Sequence, residues 1–217
     1  MITISRAVER VLNSKPFILE SLNDQIINFS SLASFIKSDI EHLLKKDVKE
    51  GAIIMAIRRF KDLNEVGLSG KLEKEIKKLG DIVVRSNLVD FTFKNSESLI
   101  KCQQNLFEEI KNNPDVFYTV TRGLYETTFI ISDQFLDKIP VLFEGEKLIS
   151  SSSGLSSITI KLPISNTEQP GLYYYIFKKL AWDGINVFEV VSTSNEITIL
   201  LKDKDVDRAF TVIKKMK

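Results

Sequence analysis

The chain has 217 residues, a length that admits one large domain or two to three small ones at roughly 100–200 residues each, and its 43% hydrophobic and 27% charged content excludes a disordered polymer. One Cys (Cys102) excludes an intrachain disulfide, and His42 with Cys102 falls short of a zinc ligand set or a Ser/His/Asp or Cys/His catalytic arrangement of any independence. With 30 Lys+Arg against 29 Asp+Glu the net charge is +1, so there is no whole-molecule attraction to nucleic acid, and a protein that binds rather than catalyses is expected, with no cofactor and no metal.

Residues Met1 to Val11 carry Arg6, Glu9 and Arg10, which leaves no apolar signal core. No window approaches the roughly 20 apolar residues of a membrane span. A reducing, cytoplasmic location without a membrane partner is expected.

The first third reads helical. After Ser5, the residues Ala7, Val8, Val11 and Leu12 recur at helical spacing. Pro16 breaks that run, and Phe17, Ile18, Leu19 and Leu22 begin a second. Ile26–Phe29 reads as a short extended linker. Ser30 or Ser31 is suited to cap a helix with an apolar face of Leu32, Phe35, Ile36, Ile40, Leu43 and Leu44. Lys49 to Leu63 forms the next helix, with Ala52, Ile53, Ala56, Ile57 and Phe60 inward. Short helices with tight connections point to a helix-turn-helix type of domain. Gly67, Ser69 and Gly70 then punctuate the chain, Lys71–Leu79 reads as a linker helix, and Gly80 ends it.

The texture changes at Asp81. Ile82–Val84 and Leu88–Phe93 read as strand, Ser96–Asn112 as helix, Val116–Val120 and Thr127–Ile131 as strands. Asp133–Phe143 is a helix interrupted at Pro140, Lys147–Ile149 a short strand, and Ser150–Gly154 a loop. The order then recurs: strand Ser157–Leu162, a helix from Pro170-Gly171 through Ala181 stopped by Gly184, strands Ile185–Ser192 and Glu196–Lys202, and helix Asp205–Met216. The expected class is α+β. A helical, helix-turn-helix-like domain over 1–79 precedes two ferredoxin-like βαββαβ copies over 80–154 and 155–217, the second one strand short.

Ser165-Asn166-Thr167-Glu168-Gln169-Pro170-Gly171 lies between a strand and a helix. Pro170 suits the first helical turn, and Gly171 permits close approach of backbone. The amides of Gly171 and Leu172 would stand at the positive helix end, where a carboxylate is stabilised. Ordinary capping chemistry accounts for the same residues.

The segment Ser157–Lys215 resembles the ACT domain of aspartokinases in Pro170-Gly171, Phe177–Ala181, Gly184-Ile185-Asn186-Val187, Ser192-Thr193-Ser194 and Glu196–Leu201. The resemblance implies tandem ACT domains that bind a regulatory amino acid at an interface, and a homodimer built through them. The effector positions it implies are Asn166, Gln169, Gly171, Leu172, Asn186, Ser192 and Ser194. The first copy departs at the matching turn, Lys94-Asn95-Ser96-Glu97-Ser98, which lacks Pro-Gly. Aspartokinase ACT domains are interleaved in sequence, so Lys147–Ser150 or a neighbouring subunit is expected to complete the short sheet. The family's Lys-Phe-Gly-Gly segment and a phosphate-binding Gly-x-x-x-x-Gly-Lys-[Ser/Thr] loop are both missing, and kinase activity is not expected.

Residues Ile26–Ala33 with Val48–Phe60 resemble the helix-turn-helix module that precedes ACT-like domains in archaeal-type proteins. Lys45, Lys46, Lys49, Arg58 and Arg59 are the candidate DNA contacts of such a module. A solvated helix face, offset by Glu41, Asp47, Glu50 and Asp62, explains them equally well. Two functions therefore stand: an amino-acid-responsive transcriptional regulator, or a stand-alone regulatory subunit of an aspartokinase-like enzyme that does not touch DNA. His42 reads as a surface or half-buried helix residue, and Cys102 as a small core residue.

Overall fold

The computed structural model describes residues 2–64, 72 and 74–217. Its contacts divide into two compact units, Met1–Lys71 and Leu72–Lys217.

The first unit contains α1 (Ile4–Asn13), α2 (Pro16–Asn23), α3 (Phe29–Leu44) and α4 (Glu50–Asn64). α1, α3 and α4 pack pairwise, and α2 adds to α1. Their core is Ala7, Val8, Val11, Leu12, Leu32, Ile36, Ile40, Ile53 and Ile57, the residues that the 3.6-residue period selects. Two expectations are corrected. The cap of α3 is Asn28, whose Oδ1 accepts from the amides of Ser30 (2.9 Å) and Ser31 (3.1 Å), so both serines lie inside the helix. Phe35 is 64% exposed and lies beneath the Lys15 ammonium, 5.6 Å from its ring centroid, off the buried stripe. The proposed break at Gly67, Ser69 and Gly70 lies outside the described residues, as do Lys71 and Glu73 of the expected linker helix.

The second unit holds β1 (Ile82–Lys94), α5 (Leu99–Ile110), β2 (Tyr118–Arg122), β3 (Glu126–Ser132), α6 (Ile139–Leu142), β4 (Leu148–Lys161), α7 (Leu172–Trp182), β5 (Glu189–Ser192), β6 (Glu196–Lys202) and α8 (Val206–Met216). The strands form one sheet in the order β2-β3-β1-β4-β6-β5, with every pairing antiparallel. Leu72, Ile76 and Leu79 pack with this unit, in the core formed by α7 and α8 on the sheet.

β1 and β4 are long and serve both halves of the sheet. The later part of β1 (88–94) pairs with β3 and with the start of β4. The later part of β4 (155–161) pairs with β6 and with Ile82–Arg85, the start of β1. Each half thus has four strands, and β1 and β4 run through both, with the start of β1 supplying the fourth strand of the second half. The expected role of Lys147–Ser150 as completion of the second half is corrected: Ile82–Arg85 does this, with Ile82 opposite Ile160 and Val84 opposite Ile158. Leu148 and Ser150 instead border the first half, opposite Phe93 and Thr92. The expected loop Ser150–Gly154 is the middle of β4. Its serines and glycine read as a loop, but β1 is there to pair with, and tertiary pairing overrides weak strand propensity.

Leu88 and Leu155 face each other at the centre. On one side of this pair β1 carries an extra residue, and on the other side β4 does. Asn87 (φ 60°) and Gly154 (φ 64°) take up these bulges in the left-handed region. The expected helix Asp133–Phe143 is a 3-10 turn (Asp133–Phe135) followed by the single turn of α6, and Ile185–Phe188 precedes β5, joined to β6 by the Phe188 N–H, which donates to the Leu200 carbonyl at 2.8 Å.

Helices cover one face. Val89, Phe91, Phe93, Phe129 and Ile131 pack against Leu99, Leu106 and Ile110 in the first half. Ile158, Ile160, Ile197, Ile199 and Leu201 pack against Leu172, Ile176, Leu180, Ala209 and Ile213 in the second. Alternation along the strands sends Leu88, Ile130, Leu155 and Leu200 to the other face, where Phe117, Phe188 and Val191 close over them.

Candidate effector site

The turn between β4 and α7 contains a 3-10 helix, Ile164–Glu168, that periodicity did not indicate. Gly171 caps α7 with φ 90°, so Pro170 lies outside the helix and not in its first turn as expected. The positive φ is the local reason for glycine at this position. A Cβ there would stand 3.5 Å from Leu72 Cδ2. The start of α7 therefore lies against the segment that leads into β1.

Asn166 is buried. Its amide Nδ2 donates to the Pro163 carbonyl (2.9 Å) and to the Ser194 carbonyl (2.5 Å). This bond brings Asn166 and Ser194 together and fastens the strand–helix turn to the β5–β6 hairpin. Ser165 Oγ donates to Glu75 Oε2 at 2.7 Å, and this bond together with Lys78 holds the Glu75 carboxyl below its usual range, the lysine contributing most. Gln169 is half-buried, Ser192 and Ser194 on the β5–β6 hairpin are exposed, and the Leu172 side chain belongs to the core.

Asn186 is not brought to the same place. It follows the far end of α7, where Ile185 N–H bonds the Leu180 carbonyl. The eleven residues of α7 separate it from Gly171 by about 16 Å at 1.5 Å per residue. Within one chain the structure joins Asn166 to Ser194 directly, places Gln169, Gly171 and Leu172 at the same strand–helix turn as Asn166, and sets Asn186 apart. A groove of about 710 Å³ between α7 and α8, lined by Tyr175, Lys179, Trp182, Arg208 and Lys215 among others, includes none of them.

The first half repeats the fastening with different residues, which sequence reasoning missed. Asn95 Nδ2 donates to the Gly123 carbonyl (2.9 Å) and its Oδ1 accepts from Thr127 Oγ1 (2.6 Å). Ser96 Oγ donates to Glu146 Oε2 (2.6 Å) and accepts from the Leu99 amide (3.0 Å). Asn95 with Ser96 does at the β2–β3 hairpin what Asn166 with Ser165 does at the β5–β6 hairpin. The readable signal was an Asn and a Ser in each strand–helix turn, which the missing Pro-Gly concealed. A further repeat links Thr92 with Thr128 (2.9 Å) and Thr159 with Thr198 (2.8 Å) through their hydroxyls.

The candidate DNA contacts all lie on the helical unit and are exposed. Lys45 is the left-handed C-cap of α3 (φ 52°), Lys46 and Lys49 belong to the connection, and Arg58 and Arg59 lie on the third turn of α4. The Arg58 guanidinium stands over the Phe29 ring at 5.9 Å. The connection is held by Glu41 Oε1, which accepts from the buried Val48 amide at 3.0 Å. Among the described residues there is no group of three or more His, Cys, Asp or Glu able to hold a metal ion, and no helix is long and apolar enough to cross a membrane.

The sheet, with β1 and β4 running through both of its halves, has a fold shared with solved aspartate kinase structures. The ligand-free regulatory subunit of aspartate kinase from Thermus thermophilus superposes with a TM-score of 0.52 at 10% identity, over 64% of this chain and 97% of that one. A structure of aspartokinase alpha and beta subunits gives 0.52 at 13% identity, again over 64% and 97%. The aspartate kinase of Clostridium acetobutylicum gives 0.51 at 14% identity over 62% of this chain, which corresponds to 34% of that longer protein. At these identities the likeness is one of fold. The share of this chain that superposes is close to the size of the Leu72–Lys217 unit. No family model matches the chain, and no curated protein matches it.

Proposed function

We propose that the protein is a non-catalytic regulatory protein whose Leu72–Lys217 unit senses an amino acid. The observation that supports this reading is the likeness in fold to nearly the whole length of an aspartate kinase regulatory subunit. We read the two halves as ACT-like domains over 80–154 and 155–217, interleaved through β1 and β4. The effector carboxylate would meet the start of α7 at Gly171 and Leu172, with Gln169, Ser192 and Ser194 beside it. Asn166 holds the turn in shape. Asn186, at the far end of α7, would contribute from a second copy, which fits an interface site in a homodimer.

The regulatory-subunit output is supported by a likeness in fold over almost all of an aspartate kinase regulatory subunit. The transcriptional reading rests on Lys45, Lys46, Lys49, Arg58 and Arg59 and the helical pattern of 1–79 alone. In either case effector binding must favour one arrangement over another by its difference in affinity for the two.

A thermal-shift screen of the full chain against the twenty amino acids tests the sensor reading. Ligand at 100 times its Kd adds about 2.7 kcal/mol to the native state, enough to raise the melting temperature of a domain this size by several degrees. The expected result is a shift with one or a few amino acids, lost in Gly171→Val. No shift with any of them at millimolar concentration overturns the reading.

A further inference from the structure

The sheet has an open edge in its interior as well as at β2 and β5. β3 runs beside β1 only from Leu88 to Lys94, so the start of β1, Ile82–Arg85, pairs with β4 on one side and, among the described residues, with no strand on the other. The bond from the Lys161 amide to the Asp81 carbonyl (3.0 Å) fixes the phase of that pairing. Asp81, Val83 and Arg85 turn their peptide groups toward β4, and the N–H and C=O of Ile82 and Val84 point outward.

Natural sheets blunt such edges with lysine, proline, bulges or a covering segment. This edge has none of the first three. Ile82-Val83-Val84 is β-branched and uncharged, Val83 and Val84 are 50% and 44% exposed, and the register is regular up to Arg85. The matching edge of the first half, Leu148–Ser153, is guarded: Lys147 precedes it, and its register shifts between Leu148 and Ser150. The unguarded edge is also self-complementary in charge. By strand alternation Asp81, Val83 and Arg85 share the face of the sheet away from the helices, with an acid at one end and a base at the other.

We propose that Ile82–Arg85 pairs antiparallel with the same segment of a second copy of the chain, about a two-fold axis at Val83. Ile82 then lies opposite the partner's Val84, and their outward peptide groups exchange ladder hydrogen bonds. Val83 meets its own counterpart across the axis. Asp81 stands opposite the partner's Arg85, and symmetry repeats the pair. Two other registers also match outward peptide groups, with Ile82 or Val84 opposite itself, and neither brings the opposite charges together. Arg85 donates to the Asp115 carbonyl (3.1 Å) and lies over the Phe117 ring, which holds its guanidinium on this face. A guanidinium has five N–H donors, so donors remain for a carboxylate. The segment lies on the edge of the second half opposite β5, and its pairing does not rest on the sensor reading.

The test uses the full chain with Cys102, its only cysteine, replaced by Ala, so that a single introduced thiol reports. Residues opposed in a non-hydrogen-bonded antiparallel pair lie about 4.5 Å apart at Cα, within reach of a disulfide. Val83→Cys should give a covalent dimer under mild oxidation, and Ile82→Cys and Val84→Cys should not. Sedimentation velocity should show a reversible dimer of the wild type. Asp81→Arg sets cation against cation twice and should raise the dissociation constant about tenfold. Adding Arg85→Asp should restore it, which the loss of a merely structural contact would not allow. A chain that stays monomeric, a crosslink through Ile82→Cys or Val84→Cys instead, or a dimer indifferent to Asp81→Arg would overturn the pairing. So would a monomer whose Ile82 and Val84 amides resist hydrogen exchange, the mark of a different covering segment. A dimer induced by an amino acid that fails to crosslink at Val83→Cys overturns it as well, and leaves the sensor reading standing.

Discussion

Replacement of Leu155 by Ala, and separately of Leu88, tests whether the sheet is one cooperative body. Both side chains are almost fully buried, at 0% and 1% exposure, and they oppose each other where β1 and β4 bulge. Each substitution removes three carbons from the apolar cluster, about 2.4 kcal/mol of transfer free energy at about 0.8 kcal/mol per methylene. The cavity left behind raises the cost, and the two sheet strands that hold the backbone limit collapse. About 3–4 kcal/mol for each is expected, within the range measured for buried Leu→Ala changes. The double variant should cost less or more than the sum by about 0.5–3 kcal/mol, because the two cavities are contiguous. Urea unfolding followed by fluorescence of Trp182, the one tryptophan, reads the result. Trp182 belongs to α7 in the second half, whereas Leu88 belongs to the part of β1 paired with β3. Leu88→Ala must nevertheless lower the Trp182 midpoint as far as Leu155→Ala does. A Trp182 transition untouched by Leu88→Ala, or a cost below about 1 kcal/mol at either site, would refute the idea that this face ties the halves together.

Two further outcomes follow from the turns. Asn166→Ala leaves the Ser194 carbonyl without its side-chain donor and should cost about 1–2 kcal/mol, with Asn95→Ala costing a similar amount through Gly123; hydrogen exchange at each hairpin locates the loosening, and an unchanged midpoint for both would contradict the fastening role. Gly80→Ala places a Cβ 2.9 Å from Lys161 Cβ, next to the bond from Gly80 N–H to the Lys161 carbonyl, and should destabilise by about 1–3 kcal/mol in thermal melts, where a neutral substitution would show that the β1 entry can shift.

Periodicity carried most elements to within a few residues. The 3.6-residue spacing located α1, α3, α4, α7 and α8, and alternation located β3 and β6, since each buries a single stripe or face. The failures have a common cause in long-range pairing. Ser150–Gly154 lacks the branched residues of a strand and is held as one by β1, sixty residues earlier. The completion of the second half by Ile82–Arg85 was invisible because no local pattern states which edge a strand will join. Gly80 read as a helix terminator, yet its contact with Lys161 supplies a steric reason that only the fold exposes. At the candidate site, the Gly171 turn was legible from Pro-Gly between strand and helix. The pairing of Asn166 with Ser194, and its echo at Asn95, required the two turns to be seen side by side.

The exchange of strands between the halves also bears on how a signal would move. Modules joined by a linker can swivel, and a ligand on one leaves the other at rest. Here no pivot lies between them, because the same two backbones run uninterrupted through both, bent at Asn87 and Gly154. A twist imposed at the α7 end of β4 is passed along that strand into the neighbours of β3, with no joint to absorb it. The sheet is built less like two beads on a string than like a single leaf spring that carries a load from end to end.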